Sequence, residues 1–303
     1  MYYLKRIVVI LENAEAALLF AGIGNEARDC GIEFFMLEES GSFIPPFGMQ
    51  EAGMEEACHV REETARDEED KILWITDSVN IAEYLSANSL KTLIYLHKGD
   101  YGAAFGKALY AFEKPQEITL HYLDRIYRRY AGIPWDILDT DRCIIRESSE
   151  QDVDAFYAIY AEPSITKYME GLYEAYDEEK AYIHNYIEKI YKFYEFGVWS
   201  VIEKESGEVI GRAGLSYREG FDEPELGFVI GTPWQRRGYA YEVCRAILNY
   251  GSEEFGFSKI LAFAEPENTP SLRLCDKLGF KSDGITNISG INYVKMSIDT
   301  NGL

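Results

Sequence analysis

The run Gln235-Arg236-Arg237-Gly238-Tyr239-Ala240 lies between two unlike patterns. Before it come an apolar segment, Leu226-Gly227-Phe228-Val229-Ile230, and a turn, Gly231-Thr232-Pro233-Trp234. After it, Val243, Ala246, Ile247 and Tyr250 recur on one face of a helical period over residues 239–250. The order predicts a strand, a short loop and a helix N-terminus. The first turn of a helix carries unpaired N–H groups and partial positive charge, so a loop that adds N–H groups there cradles phosphate oxygens. Gly238 and Ala240 are small enough for an anion to approach the main chain, and Arg236 and Arg237 supply charge-assisted bonds suited to a diphosphate. By itself the run is equally a solvated basic turn.

Working outward, Glu225 opens the preceding strand in Pro224-Glu225-Leu226-Gly227-Phe228. A second apolar strand follows over residues 259–263, then Glu267-Asn268-Thr269-Pro270-Ser271, then an amphipathic run closing in Lys277-Leu278-Gly279-Phe280. This ordered set resembles the GNAT family of acyl-CoA N-acyltransferases, in its RimJ/RimL-like branch. Gln235 to Ala240 fits the family's pyrophosphate loop, Gln/Arg-x-x-Gly-x-Gly/Ala, and Asn268 and Ser271 fit its Asn-x-x-Ser spacing. The resemblance covers roughly residues 141–300.

The resemblance implies acetyl transfer from acetyl-CoA to a primary amine. The strand at 225–230 and the one at 259–263 would splay apart and hold the pantetheine arm through the backbone of Phe228, Val229 and Ile230. Residues 235–240 (Gln235, Arg236, Arg237, Gly238, Tyr239 and Ala240) would bind the diphosphate, and Asn268 and Ser271 would touch other parts of CoA. Acyl transfer needs a base, an oxyanion donor and an acid for the leaving thiolate. Glu225 is the candidate base, acting through a water in apolar surroundings; a plain surface Glu at a strand end is the alternative. Val229 or Ile230 N–H is the candidate oxyanion donor. Where many members carry an acidic tyrosine seven residues after the asparagine, this chain has Cys275, which makes it the candidate, if weak, acid.

Bulk properties narrow the partners. The chain has 303 residues, 47% of them hydrophobic, enough for packed cores in about two domains. Its net charge of −22 is shared evenly between the halves, so neither half has the basic surface a nucleic-acid partner requires. Five cysteines without framework spacing read as free thiols, and four histidines form no metal-ligand pattern. Adjacent Cys58 and His59 have no partner pair at ligand spacing, so no metal is expected. No membrane-length apolar segment and no signal pattern is present, which predicts a cytoplasmic protein.

The first half alternates strands and helices. Strands are expected at residues 6–11, 33–37, 71–76 and 92–96, and helices at 14–30, 77–85, 101–112 and 116–130. Residues 51–70 are strongly acidic and read as a solvated helix face on an insertion. The fold class is therefore α/β. A small α/β domain with a parallel sheet occupies residues 1–138, and a mixed α+β GNAT-type domain occupies residues 141–303. Asp77 and Ser78 end a strand before a helix, which makes them a helix cap or the first domain's candidate site. Thr76-Asp77-Ser78 bears a loose resemblance to a haloacid-dehalogenase half, but the nucleophilic Asp-x-Asp is missing. No role for this half follows from its residues.

In the second half, Ser149 and Asp152 have near capping-box spacing, and Tyr168, Met169, Tyr173 and Tyr176 with Glu170 and Glu174 lie where the family walls its acceptor. With 23 tyrosines in the chain, simple packing is the better explanation of them. Two functions from different classes emerge: an N-acetyltransferase acting on a small-molecule amine or a protein N-terminal amine, and a non-catalytic acyl-CoA-binding sensor or adaptor. Neither the acceptor nor the oligomeric state is legible in the residues.

Overall fold

The computed structural model describes residues 2–12, 14–38, 71–97 and 108–301. The acidic run 51–70, Cys58 and His59 lie outside the described residues. The chain forms two compact units, Met1–Ile133 and Pro134–Leu303.

In the first unit, β1 (Arg6–Leu11), β2 (Glu33–Glu38), β3 (Ile72–Thr76), β4 (Thr92–Tyr95) and β5 (Tyr110–Phe112) lie in the order β2-β1-β3-β4-β5. Every neighbouring pair is parallel. β3 and β4 are buried throughout, as a parallel sheet covered on both faces demands. Alternation along the strands divides the core. Ile7, Val9, Leu73 and Ile75 pack with α1 (Ala21–Asp29) and α3 (Leu120–Tyr130), while Val8 and Trp74 pack with Leu85 of α2 (Val79–Ala87).

Two helical expectations change. The helix expected at 14–30 winds as a 3₁₀ segment over Ala14–Phe20 before α1 begins. The described end of the one expected at 101–112 is strand β5, whose Phe112 enters the core edge-on to Phe20 at 6.2 Å. Pairing with β4 outweighs local helical propensity there.

In the second unit, β6 (Asp136–Asp139), β7 (Cys143–Arg146), β8 (Val198–Glu203), β9 (Val209–Ser216), β10 (Glu225–Ile230), β11 (Lys259–Ala264), β12 (Lys281–Ile288) and β13 (Ile291–Asp299) form one sheet. Its order is β12-β13-β11-β10-β9-β8-β7-β6. Residues 136–138, assigned to the first domain by sequence, pair through β6 with β7 and so belong to the second sheet. Residues after Phe280, unassigned by sequence, form the β12–β13 hairpin.

One face carries α4 (Val153–Tyr160), α5 (Pro163–Thr166) and α6 (Tyr176–Tyr186), which runs on as a π turn over Ile187–Tyr191. The expected capping box starts α4's 3₁₀ lead-in: Ser149 and Asp152 exchange side-chain-to-backbone bonds. The other face carries α7 (Tyr239–Phe255) and α8 (Thr269–Leu278) over the main core. Gly251 of α7 lets this helix lie close: a Cβ there would stand 2.7 Å from Leu215 of β9 and 3.4 Å from Ile260 of β11.

Candidate active site

All neighbouring strand pairs of the second sheet are antiparallel except β10 and β11. That parallel pair shares a single register position, Glu225↔Leu261, with the Leu261 N–H donating to the Pro224 carbonyl at 2.8 Å. Beyond it the strands part. On its other side β10 pairs with β9 along its whole length. The Gly231 N–H donates to Ile210 at 2.8 Å, which sets the parity of this ladder: 225, 227 and 229 bond to β9, while 226, 228 and 230 point their main-chain groups at the gap. Phe228 and Ile230 therefore present backbone groups to the gap. Val229 does not. Its N–H belongs to the ladder opposite Arg212, so it is no oxyanion donor.

The loop that follows is built from left-handed residues. Arg236 has φ 60° and Gly238 has φ 89°. Gly238 is the N-cap of α7, and the first helical bond runs from the Glu242 N–H to the Gly238 carbonyl at 3.1 Å. The N–H groups of Tyr239, Ala240 and Tyr241 thus have no acceptor within the helix. Gln235 reaches back, its Nε2 donating to the Ile230 carbonyl at 2.8 Å. Residues 235–238 are exposed, and Arg236 makes no ion pair among the described residues.

Two residues of the loop behave differently from expectation, and a third joins it from far along the chain. The Tyr239 side chain is buried and its hydroxyl donates to Glu203, so only its backbone faces an anion. Arg237 leans the same way, 4.0 Å from Glu203. The bonds from Tyr239 and Ser206 hold the Glu203 carboxyl below its usual range. Arg142, not singled out in the sequence, donates to the Arg237 carbonyl at 2.9 Å and pairs with Glu242 at 2.6 Å.

Beyond the carboxyl end of β11, Asn268 caps α8, its Oδ1 accepting the Ser271 N–H at 3.3 Å. Their spacing is that of a helix cap, and it leaves the Asn268 amide and the Ser271 hydroxyl for a ligand. Cys275 is a correction. It is 1% exposed inside the core behind the sheet, and burial pushes its thiol up to about 12. A thiol so placed is no acid for a leaving group. The signal was available: Leu272, Cys275 and Leu278 share one helical face, and all three join the core.

Glu225 lies where the gap opens, on the face covered by α4 to α6. Its surroundings are not apolar alone. Arg218 grips the carboxylate with both nitrogens, Nε at 2.5 Å and Nη2 at 3.0 Å. Glu170 lies close enough to act on Arg218 electrostatically, so the segment with the exposed Met169 and Tyr173 passes this spot. Tyr168 donates its hydroxyl to the Glu267 carbonyl at 3.1 Å, and Tyr176 stacks on Tyr157 at 5.8 Å. Next to Glu225 on this face, Gly227 has open space where a Cβ would be. A cavity of about 500 Å³ lies against Gly231 to Trp234 and is lined by Ile159, Glu162 and Val209.

In the first unit Ser78 is the helix cap, its Oγ accepting the Ile81 N–H at 3.4 Å. Asp77 is not. It accepts the Glu12 N–H at 2.8 Å and a bond from His97 Nε2 at 2.6 Å, which ties together the ends of β1, β3 and β4. Among the described residues no group of three or more His, Cys, Asp or Glu is placed to hold a metal ion. No described helix is long and apolar enough to cross a membrane.

Comparison with known proteins bears on the second unit. Residues 142–281 match the acetyltransferase (GNAT) domain family. The chain is 30% identical over 156 residues to the uncharacterized N-acetyltransferase YoaA of Bacillus subtilis, a match spanning 49% of this chain and 85% of that one. It is 32% identical over 149 residues to the uncharacterized N-acetyltransferase YnaD of the same organism, spanning 48% and 84%. The [ribosomal protein uS5]-alanine N-acetyltransferase of Escherichia coli is 28% identical over 166 residues, spanning 51% and 82%. Through its second unit the chain belongs to the GNAT acetyltransferase family, and it is an acyltransferase.

Proposed function

We propose that the second unit transfers an acetyl group from acetyl-CoA to a primary amine by direct attack on the thioester. The observation that carries this reading is the unpaired edge of β10, which faces a gap that ends at the left-handed loop before α7. An extended amide-bearing arm adds to such an edge as a strand would. The diphosphate then meets the N–H groups of Tyr239 and Ala240, with Arg236 beside them. The acceptor is a small-molecule amine or a protein N-terminal amine; the uS5-alanine acetyltransferase among the relatives favours the second.

In the reaction the amine lone pair attacks the thioester carbon, and charge develops on the carbonyl oxygen. The gap-facing N–H of Phe228 or Ile230 supplies the oxyanion bond. Glu225 takes the amine proton through a water, using lone pairs that Arg218 leaves free. The C–S bond then breaks and the CoA thiolate departs, with solvent as its proton source in place of Cys275.

Calorimetric titration with acetyl-CoA, beside Gly238→Glu, tests the reading. Wild-type binding in the micromolar range, lost in the variant, is the expected result. Absence of binding to the wild type overturns it.

A further inference from the structure

We propose that Arg142 is the positioning residue of the donor loop: it holds the Arg237–Gly238 peptide in the one orientation that aims the following N–H groups at a diphosphate. The inference rests on the reading of the loop as the diphosphate cradle and extends it to a side chain almost a hundred positions away.

The geometry is unusually complete for a half-exposed arginine. The Arg142 Nη1 donates to the Arg237 carbonyl at 2.9 Å, and that carbonyl lies between two left-handed residues, Arg236 and Gly238. A non-glycine residue at positive φ persists only where its surroundings over-determine it. Here Arg142 supplies the restraint on the Arg237 carbonyl, beside the Gln235 bond to the Ile230 carbonyl. The Arg142 guanidinium lies over the Tyr239 ring at 4.2 Å, and its Nη2 stands 3.3 Å from where a Gly238 Cβ would be. Gly238 is thus required twice, by its φ and by the arginine packed against it.

Arg142 is itself held. Its Nε donates to Glu242 Oε2 at 2.7 Å, and its backbone N–H donates to Glu242 Oε1 at 2.8 Å. The Thr140 hydroxyl donates to the same Oε1 at 2.7 Å. Burial alone would raise the Glu242 carboxyl; Thr140 and the Arg142 N–H and guanidinium outweigh it and keep the group below the usual carboxylate range. Glu242 lies in the first turn of α7, where a carboxylate is favoured but would also compete with a phosphate for the same N–H groups. Engaged by Thr140 and Arg142, it is drawn off toward β7. The device therefore does two things: it fixes the loop's strained peptide and removes an internal anion from the cradle's mouth.

Titration calorimetry with two donors tests this. Acetyl-CoA carries the diphosphate; S-acetylpantetheine carries the same thioester arm without it. Arg142→Met is expected to weaken acetyl-CoA binding about tenfold and to leave S-acetylpantetheine binding unchanged. Arg142→Lys keeps the charge but not the fork, and is expected to behave like Arg142→Met. Glu242→Gln should weaken acetyl-CoA binding as well, with the double variant no worse than either single change. Equal weakening of both donors would reduce Arg142 to a fold-stabilising residue and overturn the inference. Wild-type affinity in Arg142→Lys would overturn the positioning role in favour of plain charge. If wild type binds both donors equally, the cradle reading itself falls, and this inference with it.

Discussion

Arg218 and Glu225 form a two-pronged ion pair at the point where β10 and β11 part, with the carboxylate largely buried. A forked guanidinium fixes the plane of the carboxylate and leaves its outer lone pairs in a defined direction. Glu225→Gln keeps the shape and one acceptor but removes the base. Turnover is expected to fall about 100-fold while acetyl-CoA affinity, measured by calorimetry, stays within a factor of two or so. Equal turnover would take Glu225 out of the reaction.

Gly214 and Gly227 are cross-strand partners with opposite requirements. A Cβ on Gly214 would stand 1.9 Å from the Gly197 carbonyl, whereas one on Gly227 meets nothing within 4 Å. Gly214→Ala should therefore lower the melting temperature sharply. Gly227→Val should fold normally yet lose about tenfold in kcat/KM for the amine, because the branched side chain fills the space beside Glu225. Normal amine kinetics in Gly227→Val would move the acceptor path elsewhere.

Cys275→Ala should retain turnover within about twofold and cost about 1 kcal/mol of stability, the usual scale for a small core deletion. Chemical denaturation and a thiol-release assay measure both. A large loss of turnover at unchanged stability would restore the acid role.

Asp152 is buried and receives Arg146 at 2.6 Å, the Ser149 N–H at 2.9 Å and the Ser200 hydroxyl at 2.8 Å. Burial by itself would raise its carboxyl, but these donors outweigh it and hold the group below the usual carboxylate range. The unfolded chain therefore binds this proton at higher pH than the folded one. The stability it contributes is complete above the unfolded value, near 3.9, and disappears as pH falls through the lower folded value. Asp152→Asn should cost about 3 kcal/mol at neutral pH and flatten the acid limb of the stability profile, as read by denaturation at several pH values.

The donor half was legible because its signals are local: an apolar strand, a glycine at the start of a helix, and an asparagine capping the next. What escaped depends on contacts far along the chain. Val229 and Phe228 are interchangeable in a periodic pattern; only the register with β9 decides which one faces the gap. Arg218 pairs with Glu225 only because the β9–β10 hairpin closes. Arg142 is nearly a hundred residues from its carbonyl partner. In the first unit β1 to β4 were plain from their apolar runs, but β5 shows itself only by pairing with β4, and His97 carried no pattern and found Asp77 only through the sheet.

Gly251 stands close to both Leu215 and Ile260, behind the gap between β10 and β11. β9 and β11 lie on opposite sides of the opening, and one helix rests on both. With β10 and β11 sharing one register position, main-chain bonding does little to set how far they diverge. From behind, α7 seats against β9 and β11 alike, so its depth bears on that spacing. On the proposed reading, the width of the donor slot is thus a property of core volume. Even a single methyl added at Gly251, out of reach of any substrate, would act as a shim that changes the calibre of the slot.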